Sequence, residues 1–199
     1  IRECFLYTEQ ERKKKMEIIK GGVTAAKGFE AAAAAAEIKY QGRTDMALIY
    51  SKKPCRTAGT FTTNVVKAAP VKWDKCVVES KVRSQAVIVN SGIANACTGA
   101  EGMEYCRETA EEAAKILGID AEGVLIGSTG VIGMQLPIDR IKTGIAKLAE
   151  VRSADLEKGT EAAKAIMTTD TREKEAAVRL EIGGKTVTVG GMAKGSGMI

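Results

Sequence analysis

Three short segments hold residue types that could do chemistry. Gly127-Ser-Thr-Gly-Val-Ile-Gly133 places glycines at every third position around a Ser-Thr pair. Following a buried strand, such a loop could turn main-chain N–H groups outward together, which is how backbone builds an oxyanion hole. The same glycines would equally serve a plain strand-to-helix turn that needs positive φ. Ile166-Met-Thr-Thr-Asp-Thr171 is a hydroxyl-rich helix exit, able to bind a substrate or simply to bond its own backbone. Lys194 stands between Gly190-Gly191 and Gly195-Ser-Gly197. Backbone could approach a ligand closely there while the ammonium clamps an anion, although a solvated surface loop would read the same way.

What is missing narrows the chemistry further. The 199 residues include no histidine. Ser–His, Cys–His and His–metal arrangements therefore cannot be assembled from this sequence, leaving hydroxyls, carboxylates, amines and backbone amides. The five cysteines, Cys4, Cys55, Cys76, Cys97 and Cys106, are odd in number and show no C-x-x-C spacing. They are expected to be small apolar fillers in a reducing cytoplasm, with neither a disulfide framework nor a metal site. Gly184-Lys185-Thr186 fails as a P-loop, because Arg179 occupies the required glycine position and a strand-like run follows. The other glycine clusters lack the dinucleotide fingerprint at a strand–helix junction.

Thirty basic against twenty-five acidic residues give a net charge of +5. The densest basic run, Arg12 to Lys15, lies among Glu9, Glu11 and Glu17 and reads as a solvated segment, not a nucleic-acid face. No apolar run approaches the ~18 residues that a membrane-spanning helix needs.

These segments need a scaffold. With 45% hydrophobic and 28% charged residues, the chain can bury an ordinary core. Ala31 to Ala36 reads as helix by propensity. Met46–Tyr50, Thr60–Val66, Gln85–Asn90 and Val124–Ile126 read as strands. Met103, Cys106, Ala110, Ala113 and Leu117 recur at helical spacing, with Gly118 as the terminal cap. A second helix starts near Pro137 with Ile138, Ile141, Ile145 and Leu148 as its stripe, and a third is expected from a Ser153 cap to about Met167. Val178–Ile182, Gly183-Gly184 and Lys185–Val189 read as a hairpin. Mixed strands and helices with no linker predict one α/β unit.

Taken in order, several segments resemble one family. They are Gly22-Val-Thr-Ala-Ala-Lys-Gly-Phe29, Gly59-Thr-Phe-Thr-Thr-Asn64 with Lys67-Ala-Ala-Pro-Val71, Asn90-Ser-Gly-Ile-Ala-Asn-Ala-Cys-Thr-Gly99, Gly127 to Gly133, Ala165 to Thr171, and Gly190-Gly-Met-Ala-Lys-Gly-Ser-Gly-Met198. From about residue 20 to residue 199, the chain resembles the ornithine acetyltransferase (bifunctional glutamate N-acetyltransferase) family of arginine biosynthesis. Two positions depart from the family pattern: Ala26 replaces a usual proline, and Ile93 a usual asparagine.

The resemblance implies a layered α-β-β-α sandwich with mixed sheets, made as a precursor that cuts itself before a threonine. That threonine heads a separate β chain and is the nucleophile. Because the sequence stops at Ile199, short of the usual cut, it is read as the α chain. Residues 16–199 would then form one α/β domain completed by the β chain, with residues 1–15 an extension. The resemblance gives Thr129 and Gly130 the role of oxyanion stabilisation, and Thr168 and Lys194 that of substrate contacts. It implies acetyl transfer from N-acetylornithine to glutamate through an acetyl-threonine, in a cytoplasmic α2β2 assembly without a resident cofactor. Acetyl-CoA as a second donor is left open. Two other classes remain: an N-terminal-nucleophile aminopeptidase or hydrolase on the same fold, and a non-catalytic module holding an anion in its glycine-rich loops.

Overall fold

The computed structural model describes residues 16–196, so Cys4, the Arg12–Lys15 run and the proposed extension over 1–15 lie outside the described residues. The central layer is a four-stranded sheet in the order β2 (Phe29–Ala34), β3 (Met46–Cys55), β4 (Ser84–Asn90), β5 (Val124–Ser128). The first three strands pair antiparallel and β4 pairs parallel with β5, so the sheet is mixed. Along β4, buried and half-buried positions alternate, because each face packs against a different layer.

One face carries three helices, α1 (Ala69–Ser80), α2 (Glu101–Leu117) and α3 (Ile138–Val151). Met46, Leu48, Ile88 and Val124 from the sheet meet Cys106, Ala110, Ile141, Ile145 and Leu148 from the helices in one core. Most of the stripes that the sequence assigned to α2 and α3 face the core, with Leu117 and Ile138 half-buried and Met103 exposed, and Gly118 closes α2 at φ 68°. The opposite face receives α4 (Leu156–Ala165), with Ala162, Ala165 and Ile166 packed on Ala31 and Ala47. A second, antiparallel sheet of β1 (Met16–Ile19), β6 (Glu175–Ile182) and β7 (Lys185–Met192) joins that layer, where Met192 reaches the same cluster. Its β6–β7 turn is the expected Gly183-Gly184 pair, both residues at positive φ. The layered α/β arrangement anticipated from the resemblance is thus present, and among the described residues no helix is long and apolar enough to cross a membrane.

Several local expectations fail. The alanine run is not helical: Ala31 to Ala34 lie in β2, paired with Ile49 to Met46. Helix propensity yields because this strand is covered on both faces, with Ala31 and Ala32 fully buried. Small side chains let the layers close up. A Cβ added at Gly144 of α3 would stand 2.2 Å from the Met46 sulfur and 2.8 Å from the Ala36 Cβ. Thr60–Val66 is irregular and has no strand partner; Val65 and Val66 point to solvent. The third helix runs from Leu156 to Ala165 with Asp155 at its N-cap position, and Ser153 lies two residues before that cap, its hydroxyl bonding the carboxylate and the N–H of Asp155. Among the described cysteines, only Cys106 is a buried filler; Cys55 is half-buried, and Cys76 and Cys97 are exposed.

Candidate active site

Strands β4 and β5 run parallel, so Asn90 and Ser128 end side by side and their loops emerge together. A crevice outside the carboxyl ends of parallel strands is where open α/β sheets bind ligands. Here that crevice is a cleft of about 420 Å³. Thr129, Gly130, Thr168 and Lys194 all line it. The four residues singled out from the sequence, up to 65 positions apart, thus share one site.

The first wall is the loop after β5. Gly130 sits at φ 132°, and a Cβ there would lie 2.3 Å from the Gly92 carbonyl carbon and oxygen, so only glycine fits. The Thr129 N–H donates to the Asn90 carbonyl at 3.0 Å, which leaves its hydroxyl as the group able to face a ligand. Among the described residues, the Gly130 N–H has no acceptor. One hydroxyl and one amide thus adjoin at the cleft, an arrangement suited to a developing oxyanion.

This loop is held rigidly by its neighbour after β4. Val131 N–H donates to Gly92 O at 3.1 Å, Ala94 N–H to Val131 O at 2.8 Å, and Gly133 N–H to Ala96 O at 2.9 Å. Asn90 Nδ2 donates to Ile93 O, Ser128 Oγ accepts the Asn95 N–H, and Asn95 Nδ2 donates to Gly102 O, each at 2.8 Å. Buried Asn90 and Asn95, for which the sequence suggested no role, fasten the two loops and the start of α2. Ile93 contributes through its backbone, while its side chain joins the core at 5% exposure, which explains why an apolar residue is accommodated there.

The second wall follows α4. The Ser91 hydroxyl donates to the Ala165 carbonyl at 2.7 Å, tying the helix end to the β4 loop. Beyond it, Asp170, its side chain 2% exposed, organises both predicted contact residues. It accepts the Thr168 N–H at 3.2 Å, the Gly195 N–H at 2.5 Å, Lys174 Nζ at 2.8 Å and Lys194 Nζ at 3.4 Å. Lys174 first, and the Thr168 and Gly195 amides with it, hold the Asp170 carboxyl well below the usual carboxylate range, so it stays charged. One carboxylate between two ammonium groups leaves a net positive charge beside the cleft. Sequence reasoning passed over Asp170, although an acid amid threonines with a lysine four residues on was a visible signal.

The third wall, also missed, is the loop between β2 and β3. Buried Asp45 accepts the N–H groups of Ala36 at 2.8 Å and Ile38 at 2.7 Å, shaping the loop that carries Lys39, Tyr40 and Arg43 into the cleft. Arg43 Nη2 donates to the Met167 carbonyl at 2.5 Å, next to Thr168. With Lys39, Arg43 and Lys194 on its walls, the cleft is suited to an anion. Cys106, by contrast, is no nucleophile: burial, and then the nearby Asp74 carboxylate, push its thiol up to about 12.

Comparison with known proteins places the chain in a family. A family model described as the ArgJ family matches residues 30–199. The arginine biosynthesis bifunctional protein ArgJ of Gloeobacter violaceus is 53% identical over 184 residues, which are 92% of this chain and 45% of that protein. The ArgJ protein of Symbiobacterium thermophilum is 55% identical over 186 residues, covering 92% and 46% respectively. The chain therefore spans just under half the length of the curated relatives it matches. Crystal structures agree in fold. The arginine biosynthesis bifunctional protein of Bacillus halodurans superposes with a TM-score of 0.85 at 42% identity, over 92% of this chain and 96% of that one. Ornithine acetyltransferase from Mycobacterium tuberculosis, solved with ornithine, gives 0.86 at 44% identity, over 92% and 97%. With a family model matching residues 30–199 and relatives above 50% identity over 92% of its length, the chain belongs to the ArgJ family.

Proposed function

We propose that this chain forms one side of the active site of a glutamate N-acetyltransferase that moves an acetyl group from N-acetylornithine to glutamate. The observation that carries the reading is the convergence of Thr129, Gly130, Thr168 and Lys194 on one cationic cleft. In this scheme the substrate α-carboxylate is held by Lys194, through a charge-assisted bond, and by Thr168. The acetyl carbonyl then points at the Thr129 hydroxyl and the Gly130 N–H. As a nucleophile adds to the carbonyl carbon, negative charge builds on the oxygen, and these two preorganised donors stabilise it.

The nucleophile is the N-terminal threonine of a β chain cut from the same precursor. Its own α-amine serves as base, which fits a chain that contributes no histidine to the site. Collapse of the tetrahedral species releases ornithine and leaves an acetyl-threonine ester. Glutamate then attacks that ester through its amine, and the same two donors hold the second oxyanion. The proposal includes an α2β2 assembly in the cytoplasm and no resident cofactor; an assay with acetyl-CoA and glutamate decides whether acetyl-CoA is a second donor. Expression of the whole gene tests it: a co-purifying chain beginning with threonine, and acetylation of glutamate from N-acetylornithine, are expected. Release of free acetate in place of acetylglutamate would mark a hydrolase instead, and a single uncut, inactive polypeptide would leave only an anion-binding module.

A further inference from the structure

Resting on that reading, the third wall assigns acceptor choice. The two substrates of the proposed exchange differ at one end of the molecule: the glutamate side chain closes in a carboxylate, that of N-acetylornithine in an ammonium. Both must present the α-carboxylate to the same Lys194, so a group facing the far end of the side chain tells them apart. Lys39 is placed for this. Its Cβ stands 3.1 Å from where a Cβ on Gly92 would lie, and Gly92 in turn is pressed against Gly130. The stem of Lys39 is thus anchored over the oxyanion loop, and its side chain lines the cleft. The ammonium lies over the Tyr40 ring, 5.0 Å from its centroid. Among the described residues Lys39 makes no ion pair, whereas Lys194 is already coupled to Asp170. Arg43, the other cation of that wall, is committed to the Met167 carbonyl.

We propose that Lys39 binds the side-chain carboxylate of the acyl acceptor and repels the side-chain ammonium of the donor. Its flexible four-carbon stem lets one residue serve both halves of the exchange. It turns away when the ornithine ammonium occupies the cleft, favouring release of that product, and returns to draw in the dicarboxylate. The cation–π contact with Tyr40 supplies a resting position between the two.

The experiment is steady-state kinetics of the assembled enzyme with Lys39→Glu and Lys39→Arg, varying each substrate in turn. Lys39→Glu should raise KM for glutamate about tenfold or more, on the scale of one lost charge-assisted bond. It should leave KM for N-acetylornithine unchanged or lower it, and Lys39→Arg should stay close to native for both. Equal shifts in both KM values, or none, would overturn the assignment while leaving the acetyl-transfer reading intact. A native enzyme unable to acetylate glutamate would overturn that reading, and the assignment with it.

Discussion

Gly130 rests directly on Gly92: a Cβ on the first would lie 2.3 Å from the carbonyl of the second. Two loops from parallel strands are thus locked at van der Waals contact where the proposed oxyanion donors sit. Gly130→Ala has no room, and its φ of 132° is one that L residues rarely adopt. In the assembled enzyme kcat is expected to fall by about 10²–10³-fold as the donor amide is displaced. Thermal unfolding should register a loss of roughly 1–3 kcal/mol from the strained backbone. A variant with native kcat would show that the loop is not part of the machinery.

In the proposed scheme Thr129 acts through its hydroxyl, since its N–H is bonded to Asn90 O. Thr129→Ala should lower kcat with little change in either KM, because the lost bond strengthens only as charge develops. Thr129→Ser should restore most of the rate. A KM effect with unchanged kcat would assign the hydroxyl to ground-state binding.

Asp170 and Lys194 are in contact, and the proposed clamp treats them as a unit. Asp170→Asn leaves Lys194 without its carboxylate and loosens the Thr168 and Gly195 backbone. Both Asp170→Asn and Lys194→Met should raise the KM for N-acetylornithine, and the double variant should cost less than the sum of the singles. Full additivity, measured by the same kinetics, would mean the two residues do not cooperate in one clamp.

Asp74 of α1 accepts the Ile126 N–H at 2.8 Å on the open edge of β5, beside the Trp73 indole, which donates to Val124 O at 2.9 Å. Burial raises its carboxyl from 3.8 to about 6, against a smaller opposing pull from the Ile126 amide. The folded state therefore binds this proton more tightly than the unfolded chain, and stability contributed by protonated Asp74 is lost as pH rises from about 4 to 6. Allowing for its partial exposure, the effect is roughly 1–2 kcal/mol. Asp74→Asn keeps an acceptor for Ile126 and should flatten that part of the pH–stability curve in urea melts. An unchanged slope would show that Asp74 is not its source.

Much of this was legible in the residues. The helical stripes of α2 and α3 appeared where Cys106, Ala110, Ile141 and Leu148 now pack, because amphipathic period reports directly on burial. Ala31–Ala34 was misread, since a run of alanines carries helix propensity but no mark of the two layers that make it a central strand. The site divides the same way. Thr129, Gly130, Thr168 and Lys194 were found through short motifs, each local in sequence. Asp170, Arg43 and Lys39 were not, because what they meet lies far along the chain, Lys194 for Asp170, Met167 for Arg43 and Gly92 for Lys39, a relation only the folded chain brings about.

The most direct measurement follows an isotopically labelled acetyl group from N-acetylornithine through the enzyme made from the whole gene. Without acceptor, mass spectrometry should find the label as an ester on the N-terminal threonine of a partner chain, and added glutamate should carry it off as N-acetylglutamate. Label that never becomes attached to threonine, or that leaves only as free acetate when glutamate is present, would contradict the account.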